Sequence, residues 1–561
     1  MRNKNLFAAI LLVFFILVTS KIVIAYFVKS PTVFADEYYY MKMARSFFYH
    51  GNFFIDNTFT ASYPPLYPMT LSVSYMFHDM RIVYFAMKVI NALVSSLIIF
   101  PLYLLAREFL DRKNSLLISG MISIMPPFFS ISPYILSENL FYTLFVFSIY
   151  FIYKAFSKKR LKYDFFAGLF IALTMLTRVI GIILIAIFII VLLLRRKDFN
   201  IKKTLVVLIP IVLVIPWIML VNFYLSLPGI IKNTGYDLTI SNILSTKYFI
   251  HAFFWIPIIL TYFILASGFI FFVAYLLFMN KKYLDDKLKI FYSITTVTIL
   301  MFLLLASFYI LAYQDLDNIL IGRPIERYFA PVLALIVLSG YIAIYNNILR
   351  KSSYKSLSLI AVLLSICFLL STPLILYSLF PANNPSLIYL GVMSTLINMS
   401  LYYKLLVFGI IFFILPYMAI HLYRLRMINL VRIFIIFFAL VSILDSSFTI
   451  LNSNTRWYTL EQTRLGLWMN DYDNGKSTIL FDKIDINRDF RWSKTLEQRE
   501  RSIGVIGFWL NNEIIVGDIN LDKARADYII STQKLEYTVV NYGKSSDIRN
   551  IYIYKINDAS L

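Results

Sequence analysis

Charge is scarce in this chain. Of its 561 residues only 15% are Asp, Glu, Lys or Arg, against 60% hydrophobic. With a mean hydropathy of +0.74, that balance excludes a soluble globular protein. Cysteine is scarcer still: the single residue, Cys367, lies in an apolar run, so no disulfide staples a domain outside the membrane. The four histidines, His50, His78, His251 and His421, have no ligand spacing between them, which leaves a shared zinc unsupported. The charged C-terminal part contains no glycine-rich phosphate loop and no HExxH pair, which removes the common nucleotide and zinc-protease signatures.

Long apolar runs are abundant. Windows of the length needed to cross a bilayer recur through residue 448, and they number about thirteen. The formal net charge of +21 sits among them, because from Thr449 onward 15 Lys and Arg face 15 Asp and Glu. The excess occupies alternate short loops, such as those of Arg112 and Lys113, Lys158 to Arg160, Arg195 to Lys197, and Arg424 and Arg426, while 380–400 has no Lys or Arg. This bias places the basic loops and the N-terminus in the cytoplasm. It also makes nucleic acid the weak explanation of the charge, and we expect no nucleic-acid partner. An odd number of spans leaves the C-terminal segment outside, with loops 29–80, 223–250, 313–327 and 380–400. The first apolar run, 6–28, has no small-residue cleavage site after it and reads as an anchor rather than a removable signal.

The expected fold is therefore an all-α polytopic membrane domain over 1–448, followed by a small extracytoplasmic α/β domain over 449–561. In the latter a helix is expected around Trp457 to Asn470, with strands near Thr478–Phe481, Ile514–Val516, Tyr528–Ile530 and Ile551–Tyr554.

The stretch from Phe34 to Pro68 is the first long polar interruption after the N-terminal apolar run. It holds the acidic pair Asp36 and Glu37, an amphipathic segment ending at Gly51, and a proline-bounded aromatic segment with Tyr63 and Tyr67. A carboxylate here can take a proton from a hydroxyl or amine as a bond forms. Equally, Asp36 can cap a helix and Glu37 favour its positive end. Glu138 lies at the outward tip of an otherwise apolar hairpin, where ionisable residues mark candidate sites. Arg178 stands at the corresponding place on the next hairpin and suits a phosphate, unless it merely snorkels. Arg323, Glu326, Arg327 and Tyr328 precede a late span; their cations would stabilise an anionic leaving group, or pair with Glu326 as an interfacial bridge. Lys88 and Lys404, near the outer ends of their spans, add to the same positive field or snorkel. Asp315 and Asp317 form an Asp-x-Asp, a weak metal signal that Asp471 and Asp473 duplicate where nothing else suggests a site.

Taken in order, these elements resemble the GT-C superfamily of membrane glycosyltransferases, in the branch of the protein O-mannosyltransferases and the lipid A aminoarabinose transferase. The resemblance rests on Asp36-Glu37-Tyr38-Tyr39-Tyr40, Tyr63-Pro64-Pro65-Leu66-Tyr67, Ser137-Glu138-Asn139-Leu140, Thr177-Arg178 and Arg327-Tyr328-Phe329-Ala330-Pro331. It implies an enzyme that moves a sugar from a polyprenyl phosphate, dolichyl or undecaprenyl, to a protein or lipid/glycan acceptor outside the membrane, with inversion. By the same resemblance Asp36, beside Glu37, is the base, and Arg178, Arg323 and Arg327 bind the donor phosphate with help from Lys88 and Lys404. Tyr40, Tyr63, Tyr67, Glu138, Glu326 and Tyr328 line the substrate groove. No cofactor is required, a divalent metal being left open at Asp315 and Asp317. The Trp-Trp-Asp-x-Gly signature of the oligosaccharyltransferases is absent. Two other classes remain: a flippase or transporter of lipid-linked sugars, which mid-depth charges and an internal repeat would favour, and a polysaccharide polymerase or ligase.

Overall fold

In a hydrocarbon layer every backbone N–H and C=O must find a partner within its own segment, so the apolar runs become helices. A computed structural model describes residues 2–32, 34–56, 58–59, 63–226, 246–278, 284–312, 325–346, 362, 384–396, 406, 410, 427–482, 503–544 and 550–556. Among the described residues six helices are long and apolar enough to cross a membrane: Phe7–Phe27, Met80–Ala106, Glu138–Lys158, Ile201–Tyr224, Asp286–Ser307 and Val431–Trp457. A further pair, Trp255–Ala266 and Phe269–Leu277, is bent by 108°. The bend falls at Gly268, whose φ of +73° suits only glycine and whose missing side chain leaves room for the Phe434 ring. Val179–Leu194 and Ala330–Tyr345 are shorter apolar helices. Most of 347–426, where further spans are expected, lies outside the described residues. The chain is an integral membrane protein of mostly helical build.

Helix α1 (Arg2–Phe27) is followed by α2 (Phe34–His50). Asp36 lies inside the first turn of α2 rather than capping it, because the helix begins two residues earlier. Gly51, at φ +67°, ends the helix by donating its N–H to the Phe47 carbonyl at 3.0 Å. A two-strand hairpin, β1 (Phe54–Ile55) and β2 (Thr58–Phe59), leads to α3 (Leu66–Ser72). Pro65 precedes α3 and Pro68 sits in its first turn, where a missing N–H costs nothing.

Helices α4 (Met80–Ser96) and α6 (Arg112–Ser123) start on the carboxylates of Asp79 and Asp111, with the short α5 (Ile99–Ala106) between them. After α7 (Pro126–Phe129), α8 (Glu138–Lys158) and α9 (Leu161–Thr177) form a tight antiparallel hairpin around Lys159, which takes φ +47°. Helices α10 (Ile183–Leu194) and α11 (Leu205–Ser226) follow, α11 packing back on α9.

The last described membrane helix, Met427–Asn452, passes straight through the expected boundary at 448. The helical turn that continues it, Ser453–Trp457, is sewn to the end of α1 and the residues just after it. The Ser30 N–H donates to Ser453 Oγ at 2.8 Å, that hydroxyl donates back to the Ser30 carbonyl at 2.7 Å, and Asn454 bonds the Lys29 N–H and the Phe27 carbonyl.

Beyond it, helix Glu461–Asp473 and helix Ile503–Phe508 cover one face of a five-stranded sheet of order β4-β3-β5-β7-β6. The strands are β3 (Thr478–Asp482), β4 (Glu513–Gly517), β5 (Tyr528–Ser531), β6 (Thr538–Lys544) and β7 (Asn550–Lys555). Four match the expected strands; β6 and the helix Ile503–Phe508 do not follow from the alternation pattern. The unit docks on α2 and α4 through a shared apolar core that joins Tyr38, Met41, Val83 and Met87 to Val505, Phe508 and Trp509. Lys42 Nζ donates to the Leu510 carbonyl at 3.0 Å and Arg45 Nε to the Asn511 carbonyl at 3.0 Å. Burial at this seam lowers the Lys42 ammonium to about 7 against the opposing pull of Asp56, itself raised by burial.

At the rim Arg81 makes a bidentate pair with Asp471, at 2.7 and 2.8 Å, with both side chains about half exposed. Apolar burial rather than this ion pair holds the unit in place. Trp509→Ala, at a site 1% exposed, is expected to cost roughly 3–5 kcal/mol of docking, whereas Asp471→Asn costs about 1 kcal/mol or less. Protease sensitivity of the C-terminal unit in denaturant measures both; equal losses would place the energy at the rim.

Candidate active site

Helix ends build the site. Because α8 and α9 are antiparallel and joined by a tight turn, the first residue of α8 and the residue after α9 come to the same end of the hairpin. These are Glu138 and Arg178, and their side chains meet at 2.7 Å. Glu138 lies in the first turn of its helix, where the free N–H groups favour a negative charge. Arg327 reaches the same end from the short turn Glu326–Tyr328 that precedes helix Ala330–Tyr345. Its backbone carbonyl accepts from Tyr142 Oη at 2.8 Å, which ties that turn to α8. The first turn of α2 brings Asp36 across the top.

The result is a cluster of two carboxylates and two guanidinium groups. Arg327 Nη1 lies 2.8 Å from Asp36 Oδ2, and its Nε lies 3.8 Å from Glu138 Oε1. Tyr63 donates its hydroxyl to Asp36 Oδ1 at 2.9 Å. Arg178 also donates to Ser137 Oγ at 3.0 Å and lies over the Tyr328 and Phe141 rings, at 5.4 and 5.9 Å from their centroids. Glu138 is 0% exposed, Arg327 10%, Arg178 13% and Asp36 24%. Burying ions is expensive unless their charges cancel, and here two negative charges balance two positive ones. Asp36 is the most exposed member of the four.

An aromatic wall flanks the cluster. Tyr63 packs on Tyr39 and Tyr40, and Tyr40 on Tyr67, with ring centroids 4.9 to 5.4 Å apart. Tyr40 Oη shares a hydrogen bond with Ser137 Oγ at 2.8 Å. Burial pushes the Tyr40 phenol well above its ordinary range despite the lowering pull of Arg178, so it stays a neutral hydrogen-bonding group. Tyr67 donates to Asn91 Oδ1 at 2.9 Å, and Asn91 in turn donates to the Tyr134 carbonyl at 2.8 Å.

Other candidates from the sequence lie elsewhere. Glu37 is fully buried, with Oε1 accepting from the Thr32 N–H and Oε2 from the Ile135 N–H, both at 3.0 Å. A carboxylate so occupied is an anchor, joining the start of α2 to the turn before α8. Lys88 is 2% exposed and spends its ammonium on the Ala25 and Val28 carbonyls at the end of α1, at 2.6 and 2.5 Å, over the Tyr84 ring. Glu326 pairs with no arginine among the described residues; it accepts from Tyr262 Oη at 2.7 Å, from the Ser386 N–H at 2.8 Å and from the Ser386 hydroxyl. Arg323, Lys404, Asp315 and Asp317 lie outside the described residues. Among the described residues no group of three or more His, Cys, Asp or Glu is arranged to hold a metal ion.

Ser137 and Asn91 join the site beyond the candidates expected from the sequence. Ser137 stood in plain view beside Glu138, and a lone Asn in the apolar run of α4 was the available signal for the other.

Residues 62–220 match the family model described as dolichyl-phosphate-mannose-protein mannosyltransferase. That segment contains Tyr63, Tyr67, Glu138 and Arg178. Among solved structures the chain is similar to ArnT from Cupriavidus metallidurans bound to undecaprenyl phosphate, at 14% identity and a TM-score of 0.56, over 99% of this chain and 98% of that one. The apo state of the same protein matches at 14% identity and a TM-score of 0.55, over 98% and 97%. No curated protein matches the sequence significantly. The family match thus spans the charged hairpin, and the fold is shared with that GT-C-type structure from end to end.

Proposed function

We propose that the protein transfers a sugar from a polyprenyl phosphate carrier to an acceptor on the outer membrane face, with Asp36 as general base. The carrying observation is the position of Asp36: the most exposed of four clustered ions, oriented by Tyr63 and set beside two buried guanidinium groups. A similar structure holds undecaprenyl phosphate, and a lipid phosphate is the anion that Arg178 and Arg327 suit best, since each planar fork can bind two oxygens. The carrier's tail lies among the helices.

The acceptor's hydroxyl or amine attacks the anomeric carbon, the bond from that carbon to the phosphate oxygen breaks with its electron pair leaving on the phosphate, and the acceptor's proton passes to Asp36. Attack from the face opposite the phosphate inverts the anomeric centre. The guanidinium groups stabilise the charge that develops on the leaving phosphate. The chemistry as written uses no cofactor. In this reading the basic loops and the N-terminus are cytoplasmic, 449–561 forms a separate outer domain, and the acceptor is a protein or a lipid/glycan.

Release of free polyprenyl phosphate from a panel of polyprenyl-phosphate monosaccharides, in the presence of a cell-envelope acceptor extract, tests the reaction. Asp36→Asn is expected to lower release by at least about 100-fold, and near-normal turnover in that variant would remove Asp36 as the base. Arg178→Gln strands the buried Glu138 and is expected to cost roughly 3–5 kcal/mol of stability, besides raising the donor KM. Arg178→Lys, which keeps the charge but loses the fork, raises the donor KM while folding normally; an unchanged KM there would take the phosphate away from Arg178.

A further inference from the structure

Arg327 has two places to go. Its Nη1 is committed to Asp36 at 2.8 Å. Among the described residues its buried Nε has no hydrogen-bond partner and stands 3.8 Å from Glu138 Oε1, and Glu138 Oε2, at 0% exposure, has none either. A buried donor and a buried acceptor left unmade on facing side chains mark an arrangement that is not the most satisfied one available. Arg178 is differently placed. It is held by Glu138, by the Ser137 hydroxyl and by two ring faces.

The ion pair has a cost for catalysis. Both oxygens of Asp36 already carry a strong donor, Tyr63 on Oδ1 and Arg327 on Oδ2. A carboxylate relieved of a cation takes a proton more readily. Among the described residues the four ions of the cluster sum to zero, so an arriving phosphodiester brings one negative charge more than they balance. The guanidinium with an unmade bond is the group that can turn toward it.

Resting on the function proposed above, we propose that Arg327 is a latch on the base: in the free protein it pairs with Asp36, and the donor phosphate draws it away and releases the carboxylate for the acceptor. Tyr63 keeps Oδ1 in place during the exchange, so Asp36 is unmasked without losing its aim. Donor binding then precedes acceptor activation, and water meets an occupied carboxylate while the donor site is empty. Arg327 is a positioning residue in this step as well as a phosphate ligand.

Competition between Asp36 and phosphate for one guanidinium is a coupling, and it is reciprocal. The test is a double-mutant cycle read by binding of undecaprenyl phosphate, without sugar, to the purified full-length protein in lipid nanodiscs. Asp36→Asn is expected to bind that lipid about tenfold more tightly than wild type, within the usual range of coupling between linked sites. Arg327→Gln binds it more weakly, and adding Asp36→Asn to that background brings no gain. In Arg327→Lys, which preserves the buried charge balance, the gain from Asp36→Asn returns. An equal gain with and without Arg327 would reduce the effect to the general field of a removed charge and overturn the latch, as would no gain in Asp36→Asn alone. Failure of every variant and of wild type to bind the lipid would instead overturn the donor reading, and the latch with it.

Discussion

A carboxylate with no exposure to water has to be neutralised, and Glu138 sets that demand at the mouth of the α8–α9 hairpin. Desolvation costs several kcal/mol per ion, so the charges that meet there must cancel and be held closely. Matched antiparallel helices deliver Arg178 to the spot by geometry alone. Arg327 and Asp36 complete the balance, one from the turn ahead of a late helix and one from the first turn of α2. The apolar bulk of the chain supplies the low dielectric that makes each of these contacts count. Aromatic rings at the same end then fill the space between helix tips, with hydroxyls on Ser137, Asp36 and Asn91.

Much of this was legible in the order of short motifs. Glu138, Arg178 and Arg327 each fall at the end of an apolar run, with Asp36 and Tyr63 in the polar stretch after the first, and helix ends on one side of a membrane are where such residues can gather. Their pairing was not legible. Asp36 and Arg327 are far apart in the chain, and nothing local distinguishes Arg327 from Arg323 or decides that Glu326 turns to Tyr262 and Ser386 instead of to an arginine. Glu37 misled for a similar reason: adjacent to Asp36 in sequence, it faces a different neighbour because successive helical residues point about 100° apart. In the C-terminal unit the buried strands β3 and β5 read clearly as apolar runs, whereas β6, Thr538–Lys544, is half polar and carries an irregular register at Val539 and Asn541. Alternation fails where a bulge interrupts it.

The described residues of the C-terminal unit supply no side chain to the charged cluster, yet the unit bears on its geometry. Lys42 and Arg45, two and three turns along α2 from its start, are the residues that grip Leu510 and Asn511. Asp36 lies on the same helix, about 9 Å from Lys42 along the axis. A rigid helix pinned at its middle by Trp509 and its neighbours keeps its first turn in register with the α8–α9 hairpin. The sheet thus acts on the reaction through packing, as a brace for the helix that carries the base.

The seam between α1 and the helix Met427–Asn452 has a consequence in time. Lys29 and Asn454 are 425 residues apart in the chain. At ribosomal speeds of about 5–20 residues per second, roughly 20 to 85 seconds separate the synthesis of the two sides. For that interval the exposed carbonyls of Phe27 and Ser30 have no protein partner from this helix. An unfinished or truncated chain therefore displays an open polar end beside its first helix, and a finished one hides it. The same four hydrogen bonds that close the bundle also mark it as complete.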